Sequence, residues 1–404
     1  MHTLATLLFN TAARQPDRWA LLDERSSLNY AGLAERVESL AALLLADGLT
    51  SQARVAIYLD KSVESAALFL AVLHAGAIAV PVNPKLKAAQ VAYIVRDCGA
   101  ELLVTTAHRL AELRPYLTTP GSGLASLKSP RVCLSPLPMP STSAVRPGFA
   151  AGPHRRIDSD AAAILYTSGS TGQPKGVVVS HRNLVAGCES VNAYLHHGPD
   201  DAILALLPIS FDAGLSQLST GLAAGAKVVL HTLVQAQAVA LAVQRHGITS
   251  ITAVPPLWSL LAAARWDGID THRVRLIANT GGHMNAPLLA ALRERFPAAR
   301  PFLMYGLTEA FRSTYLDPQE IDRRPNSIGK AIPNAEILVL RPDGTPCDTG
   351  EPGELVHRGA LVTLGYWNAP EKTAERFRPL PSPLADGLAT ELAVWSGDVV
   401  RRDA

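Results

Sequence analysis

Long uninterrupted apolar runs are missing from this 404-residue chain. The one stretch that invites a membrane reading, ESAALFLAVLHAGAIAVPV at 64–82, is broken by Gly76 and Pro81. A helix over 65–74, a turn at Gly76 and a short buried strand over 78–82 explain it better than a span. Cysteine is scarce: four residues, Cys98, Cys133, Cys188 and Cys347, lie far apart with no C-x-x-C pair. That excludes a zinc knuckle and a disulfide framework, and reduced thiols in a cytosolic protein are the simplest reading. Charge imbalance is lacking too. The formal net charge is +2, aromatics are 5% of the chain, and no basic run alternates with aromatics. A protein held on nucleic acid mainly by electrostatics is therefore not expected. The N-terminus lacks the basic start and small-residue cleavage site of a signal peptide, which supports a cytoplasmic expectation. No internal repeat of fixed period is visible.

What is present is ordinary in bulk and specific in pattern. Apolar residues make up 48% and charged ones 18%, as in soluble globular proteins. The length exceeds one compact core, so two or three subdomains are expected. The first hundred residues alternate helix and buried strand. NYAGLAERVESLAALLLADGL places Leu33, Val37, Leu40, Leu43 and Leu44 on one helical face, with Gly48 after its end. RVAIYL (54–59) and ELLVTT (101–106) read as strands, with a helix near 87–97 between. That rhythm predicts a parallel sheet covered by helices. Residues 119–157 are dense in Pro, Ser and Gly and read as an extended, partly mobile surface connection. From 161 the alternation resumes, with strands expected at 161–166, 176–180, 202–206, 226–231, 249–253, 274–279 and 301–304. Beyond 326, short strands and turns predict a small antiparallel barrel or sheet. The expected division is 1–157, 158–325 and 326–404.

The stretch YTSGSTGQPKG, 166–176, is where the chemistry concentrates. A phosphate cradle needs inward-pointing N–H groups, no obstructing Cβ, hydroxyl donors and a cation. Thr167, Ser168, Gly169, Ser170, Thr171, Gly172 and Lys175 supply these. The pattern is not G-x-x-x-x-G-K-[ST]: Gly176 follows Lys175, a strand follows that, and Pro174 removes a donor. A P-loop kinase or ATPase is disfavoured, since no helix N-terminus receives the phosphate. A flexible hairpin turn is the plain alternative.

The loop resembles the phosphate-binding signature of the AMP-forming, adenylate-forming ligases: acyl-CoA synthetases, aryl-acid ligases, peptide-synthetase adenylation domains and luciferases. Other stretches resemble that family in order. VPPLWSLL and IANTGGHMN resemble the acid-pocket wall and the Gly-Gly strand beside adenine; MYGLTEAF, GELVHRGALVTLGYWNAPEKTAERF and WSGDVVRRD complete the set, with Ser396 where Thr is usual. The stretch 304–340 resembles acyl-CoA ligase homologues of bacterial exosortase and exopolysaccharide systems. The resemblance implies an α/β fold of two stacked αβαβα-type subdomains with parallel sheets plus a small β-barrel-like subdomain. It implies ATP and Mg2+ as cofactors, a carboxylic acid as substrate, and CoA or the phosphopantetheine of an acyl or peptidyl carrier protein as acceptor.

By the same resemblance, loop 167–175 holds the β- and γ-phosphates, and Lys175, Thr308 and Glu309 are catalytic. Thr308 meets the α-phosphate and Glu309 the magnesium. Tyr305, followed by Gly306, stacks on adenine, which Gly281 and Gly282 flank. Asp398 accepts the ribose hydroxyls, a natural role for a carboxylate facing a diol. Phe211, Asp212, Trp258 and Gly281 line the acid pocket. Two readings of Asp212 stay open: a partner for a substrate ammonium, as in amino-acid-activating members, or the cap of a helix starting at Ala213. In the family a small C-terminal domain follows the T-G-D segment and carries a lysine that contacts the acid. The chain resembles the large N-terminal domain alone and is expected to bind ATP and acid but adenylate weakly. A non-catalytic ligand-binding homologue is the alternative from another class.

Overall fold

The computed structural model describes residues 3–117, 131–137, 153–167, 173–232, 235–381, 384 and 391–403. The chain forms two compact units, Met1–Val185 with His197–Leu233, and Ala186–His196 with Val234–Ala404.

In the first unit, one sheet has the strand order Arg131–Leu134, Leu102–Thr105, Arg54–Tyr58, Ile78–Pro81, Ala161–Thr167, Lys175–Ser180. The first five run parallel and the last pairs antiparallel to its neighbour. The stretch suspected of spanning a membrane is the helix Val63–Ala75 followed by the strand Ile78–Pro81. Its run from Ala66 to Val72 is apolar all round because it is buried all round. Ser62 and Ser65 cap its start reciprocally. Gly76 ends it with φ 81°, and a Cβ there would lie 2.6 Å from the His154 carbonyl oxygen, so both conformation and space require glycine. Among the described residues, no helix is long and apolar enough to cross a membrane.

The first unit also pairs Ala202–Ala205, Lys227–Leu230 and Trp19–Leu22 in parallel, with Ser27–Asn29 antiparallel on the last. The second unit sets Ser250–Ala253, Leu276–Asn279 and Arg300–Tyr305 in parallel and adds Thr314–Leu316 and Lys330–Ala331 antiparallel. It also holds a four-stranded antiparallel sheet, ordered Ala335–Leu340, Pro352–Gly359, Leu392–Arg401, Phe377–Pro379. Leu340, Val356, Leu380, Ala393 and Trp395 form its core. Parallel sheets under helices and a smaller antiparallel sheet agree with the α/β class expected. Within the extended Pro/Ser-rich connection, Val132, Cys133 and Leu134 add a short edge strand to the first sheet beside Leu102–Thr105. Within that connection, 119–130 and 138–152 lie outside the described residues.

Candidate functional site

The first unit carries Thr167 and Lys175, the ends of the stretch expected to hold phosphate. Thr167 and Lys175 face each other as the last pair of the antiparallel hairpin formed by Ala161–Thr167 and Lys175–Ser180. The hairpin therefore fixes both ends of the loop. Ser168, Gly169, Ser170, Thr171 and Gly172 lie outside the described residues. A strand does follow Lys175 directly, and the next helix begins only at His181. The geometry of a P-loop, with a helix N-terminus behind the lysine, is absent at this place.

The same unit holds Phe211 and Asp212. The helix Asp212–Ala224 begins at Asp212, and Phe211 occupies the N-cap position with extended backbone and no side-chain cap. The helix thus begins one residue earlier than the capping reading of Asp212 placed it. Asp212 stands half-buried in the first turn, where the helix dipole favours negative charge. The segment before it is pinned from two sides. Gln217 accepts from the Leu207 N–H and donates to the Leu204 carbonyl. Lys61 donates through Nζ to the carbonyls of Ala205 and Leu207, at 2.6 and 3.2 Å. Burial pushes the Lys61 ammonium down to about 7, with Lys85 adding repulsion.

In the second unit, Tyr305 ends the strand Arg300–Tyr305, and its hydroxyl donates to Asp398 Oδ2 at 2.5 Å. A bulge delivers the carboxylate. Glu354 pairs with Val399 and Val356 with Trp395, so Ser396, Gly397 and Asp398 oppose Leu355 alone. The Asp398 N–H donates to Ser396 Oγ, a bond that a threonine hydroxyl could equally accept. His357 lies nearly parallel to Tyr305, ring centroids 6.0 Å apart. Burial, then Arg376, pushes His357 down to about 4, so it is neutral at physiological pH. Burial and the Asp398 hydrogen bond raise the Tyr305 phenol, keeping it a donor.

Gly306 leads into the short 3-10 turn Thr308–Ala310, which carries Thr308 and Glu309. Tyr366 donates its hydroxyl to Glu309 Oε1 at 2.5 Å, and the Thr363 N–H donates to the Glu309 carbonyl. The turn is closed by Phe311, fully buried, with φ 53° and ψ −48°, values that a bulky residue rarely adopts. Its ring fills the space left by Gly187, where a Cβ would lie 2.5 Å from Cδ1. Two residues upstream of this anchor, Glu309 is held by backbone and side chain together.

Gly281 (φ 72°) and Gly282 follow the strand Leu276–Asn279, and the Asn279 amide donates to the Gly282 carbonyl. A Cβ on Gly281 would approach Val254 Cγ1 to 3.1 Å. Trp258, on the helix Pro255–Ala262, is fully buried, with no acceptor for its indole N–H among the described residues. The residues that sequence reasoning left unassigned are Tyr366, His357, Arg312 and Lys61. Tyr366 and His357 fall inside a quoted motif without a role; nothing local in the sequence pairs Tyr366 with Glu309.

No cluster of three or more His, Cys, Asp or Glu suited to a metal exists among the described residues. A single carboxylate at Glu309 fits magnesium, which keeps waters and is carried mostly by substrate phosphates.

Residues 8–367 match the model of the AMP-binding enzyme family. A linear gramicidin synthase of Brevibacillus parabrevis is 30% identical, with 96% of this chain and 7% of that protein covered. The L-proline--[L-prolyl-carrier protein] ligase of Pseudomonas fluorescens is 32% identical, covering 94% of this chain and 78% of that ligase. The crystal structure of VinN superposes with a TM-score of 0.85 at 26% identity, covering 99% of this chain and 96% of that one. The chain spans 5–15% of the length of the large synthetases that it resembles, from linear gramicidin synthase to bacitracin synthase 3. With a family model covering most of its length and a proline–carrier-protein ligase matched over most of both chains, this chain belongs to the AMP-binding enzyme family.

Proposed function

We propose that the chain binds ATP with magnesium and a carboxylic acid and joins them as an acyl-adenylate, releasing pyrophosphate. The observation that carries this reading is the Tyr305–Asp398 pair. A flat ring suited to a base and a carboxylate suited to a ribose diol, 93 residues apart in sequence, meet at 2.5 Å. Lys175 and its loop take the β- and γ-phosphates, and Thr308 the α-phosphate. Glu309, oriented by Tyr366, would hold magnesium, which when bound offsets the repulsion between two anions. The acid's carboxylate oxygen attacks the α-phosphorus, and pyrophosphate leaves from the opposite side. The acyl group then passes to a thiol, either CoA or the phosphopantetheine of a carrier protein. An acyl-CoA synthetase assignment, including the exosortase-associated branch, rests on the stretch 304–340.

A second reading makes the acid an amino acid. It is supported by Asp212, which stands in the first turn of its helix while Phe211 holds the cap position. The P. fluorescens relative is a proline ligase, and VinN has been solved with L-aspartate. A buried or half-buried carboxylate facing an ammonium is a strong specificity device. Acid-dependent ATP–pyrophosphate exchange over fatty, aryl and amino acids tests both readings. Exchange abolished by Lys175→Ala is expected. Exchange with amino acids lost in Asp212→Ala supports the second reading, and exchange with plain fatty acids alone removes it. Nucleotide binding without exchange for any acid supports a non-catalytic homologue.

A further inference from the structure

Arg376 stands where the two ends of the nucleotide site come together. It closes the helix Pro370–Arg376, and Phe377 after it enters the antiparallel sheet beside Val394. Its Nη1 lies 3.2 Å from the point that a Cβ on Gly397 would occupy. Gly397, at φ 74°, is the middle residue of the bulge that delivers Asp398, and glycine there leaves the guanidinium room to reach the bulge. At the other end is Tyr366. Burial and the Glu309 hydrogen bond raise its phenol, and Arg376 opposes them by its charge and by a hydrogen bond of its own. The Phe377 ring, next to Arg376 in the chain, meets the Tyr366 ring edge-on with centroids 5.6 Å apart. One guanidinium thus sits between Asp398 on one side and Tyr366, with its carboxylate Glu309, on the other.

No carboxylate among the described residues pairs with this cation, and those around it are engaged elsewhere. Asp398 Oδ2 accepts from Tyr305 and Glu309 Oε1 from Tyr366, each at 2.5 Å. Glu354 accepts from the Gly397 N–H at 3.0 Å with one oxygen and pairs with Arg378 at 3.6 Å through the other. The Arg376 Nε is sealed from solvent with no acceptor among the described residues, and the side chain as a whole is half-buried. A cation so placed is disfavoured until an anion meets it. The order of groups along a nucleotide says which anion that is. Asp398 suits the ribose and Glu309 the magnesium of the outer phosphates; the α-phosphate is the link between the two.

We propose that Arg376 binds the α-phosphate of the nucleotide. A planar guanidinium matches two oxygens of a phosphate, and a charge-assisted bond of this kind is among the stronger ones. This rests on the adenylation reading given above and adds a substrate-binding residue to it, on a helix that the reading had left without a role.

The test is calorimetry on the full chain with adenosine and with AMP, both without magnesium so that Glu309 has no part in the result. The two ligands differ by the α-phosphate alone. The natural chain is expected to bind AMP about ten- to hundredfold tighter than adenosine. Arg376→Gln is expected to remove most of that difference and to leave adenosine affinity unchanged. Arg376→Met, which keeps the buried stem of the side chain, should do the same, and Arg376→Lys should retain part of the difference. Equal affinities in the natural chain overturn the proposal, whether or not the variants fold. Neutral variants that keep the full preference for AMP overturn it as well. Variants that weaken adenosine and AMP by the same factor assign Arg376 a merely structural role and also overturn it. Binding of neither ligand by the natural chain refutes the adenylation reading itself, and the two failures are thereby distinguished.

Discussion

Gly187→Ala tests how the turn bearing Glu309 is held. The new methyl group would lie 2.5 Å from Phe311 Cδ1 and 2.6 Å from Cε1. Carbon pairs rest at about 3.5–4.0 Å, so the ring must withdraw by roughly 1 Å. It has little freedom to do so, being fully buried on a backbone at φ 53° and ψ −48°. Overpacking of this kind costs about 1–3 kcal/mol, and the rigidity of Phe311 places the expected value in the upper half. At about 2–4 °C per kcal/mol, Tm should fall by roughly 5–10 °C, read by scanning calorimetry. Phe311→Leu in the same chain removes the clashing edge. The double variant should therefore be less destabilised than the sum of the single ones. Nucleotide binding in Gly187→Ala should also require more magnesium, because Glu309 sits two residues before the displaced ring. An unchanged Tm, or strict additivity in the double variant, would refute the reasoning.

Tyr366→Phe removes the hydroxyl that orients Glu309, and the magnesium needed to half-saturate nucleotide binding should rise several-fold in calorimetry at varied magnesium, with little change in Tm. Tyr305→Phe frees Asp398 from its donor and should weaken nucleotide binding by about tenfold, leaving acid selectivity unchanged. His357 and His181 are both pushed down to about 4 by burial. Their folded values lie below the ordinary 6.5, so the unfolded chain binds protons that the folded chain refuses. Stability is full above about pH 6.5 and is lost as pH falls towards 4, at up to about 1.4 kcal/mol per pH unit for each histidine. Urea midpoints between pH 7.5 and 4.5 should show that slope, and His181→Gln with His357→Gln should flatten it. Lys61, lowered to about 7, destabilises the fold progressively as pH drops from about 10.5 to 7; Lys61→Met should remove that dependence in the same assay.

How much of this was legible beforehand depended on whether the signal was local. Long periodic segments were: the helix Tyr30–Ala46 and the strands flanking the phosphate loop follow from spacing and β-branched runs. The apolar stretch at 64–82 was legible because Gly76 and Pro81 punctuate it. Two short strands were not. Trp19–Leu22 is four residues of WALL, and Arg131–Leu134 sits inside Pro/Ser-rich sequence, so both owe their pairing to tertiary partners. The Asp212 helix begins one residue earlier than its sequence suggested, because Phe211 takes the extended N-cap conformation unaided. The Tyr305–Asp398 and Tyr366–Glu309 pairs span 93 and 57 residues, and no periodicity encodes such distances. Nothing local in the sequence marks Arg312 as buried, which only the fold shows.

The central claim is that the acid's oxygen attacks the α-phosphorus of ATP. It is tested most directly by incubating the protein with ATP, magnesium and an accepted acid carrying 18O in its carboxylate, then trapping the acyl group with a thiol. AMP bearing one 18O, with unlabelled pyrophosphate, is the expected result. Label in inorganic phosphate, with ADP as the nucleotide product, would contradict it.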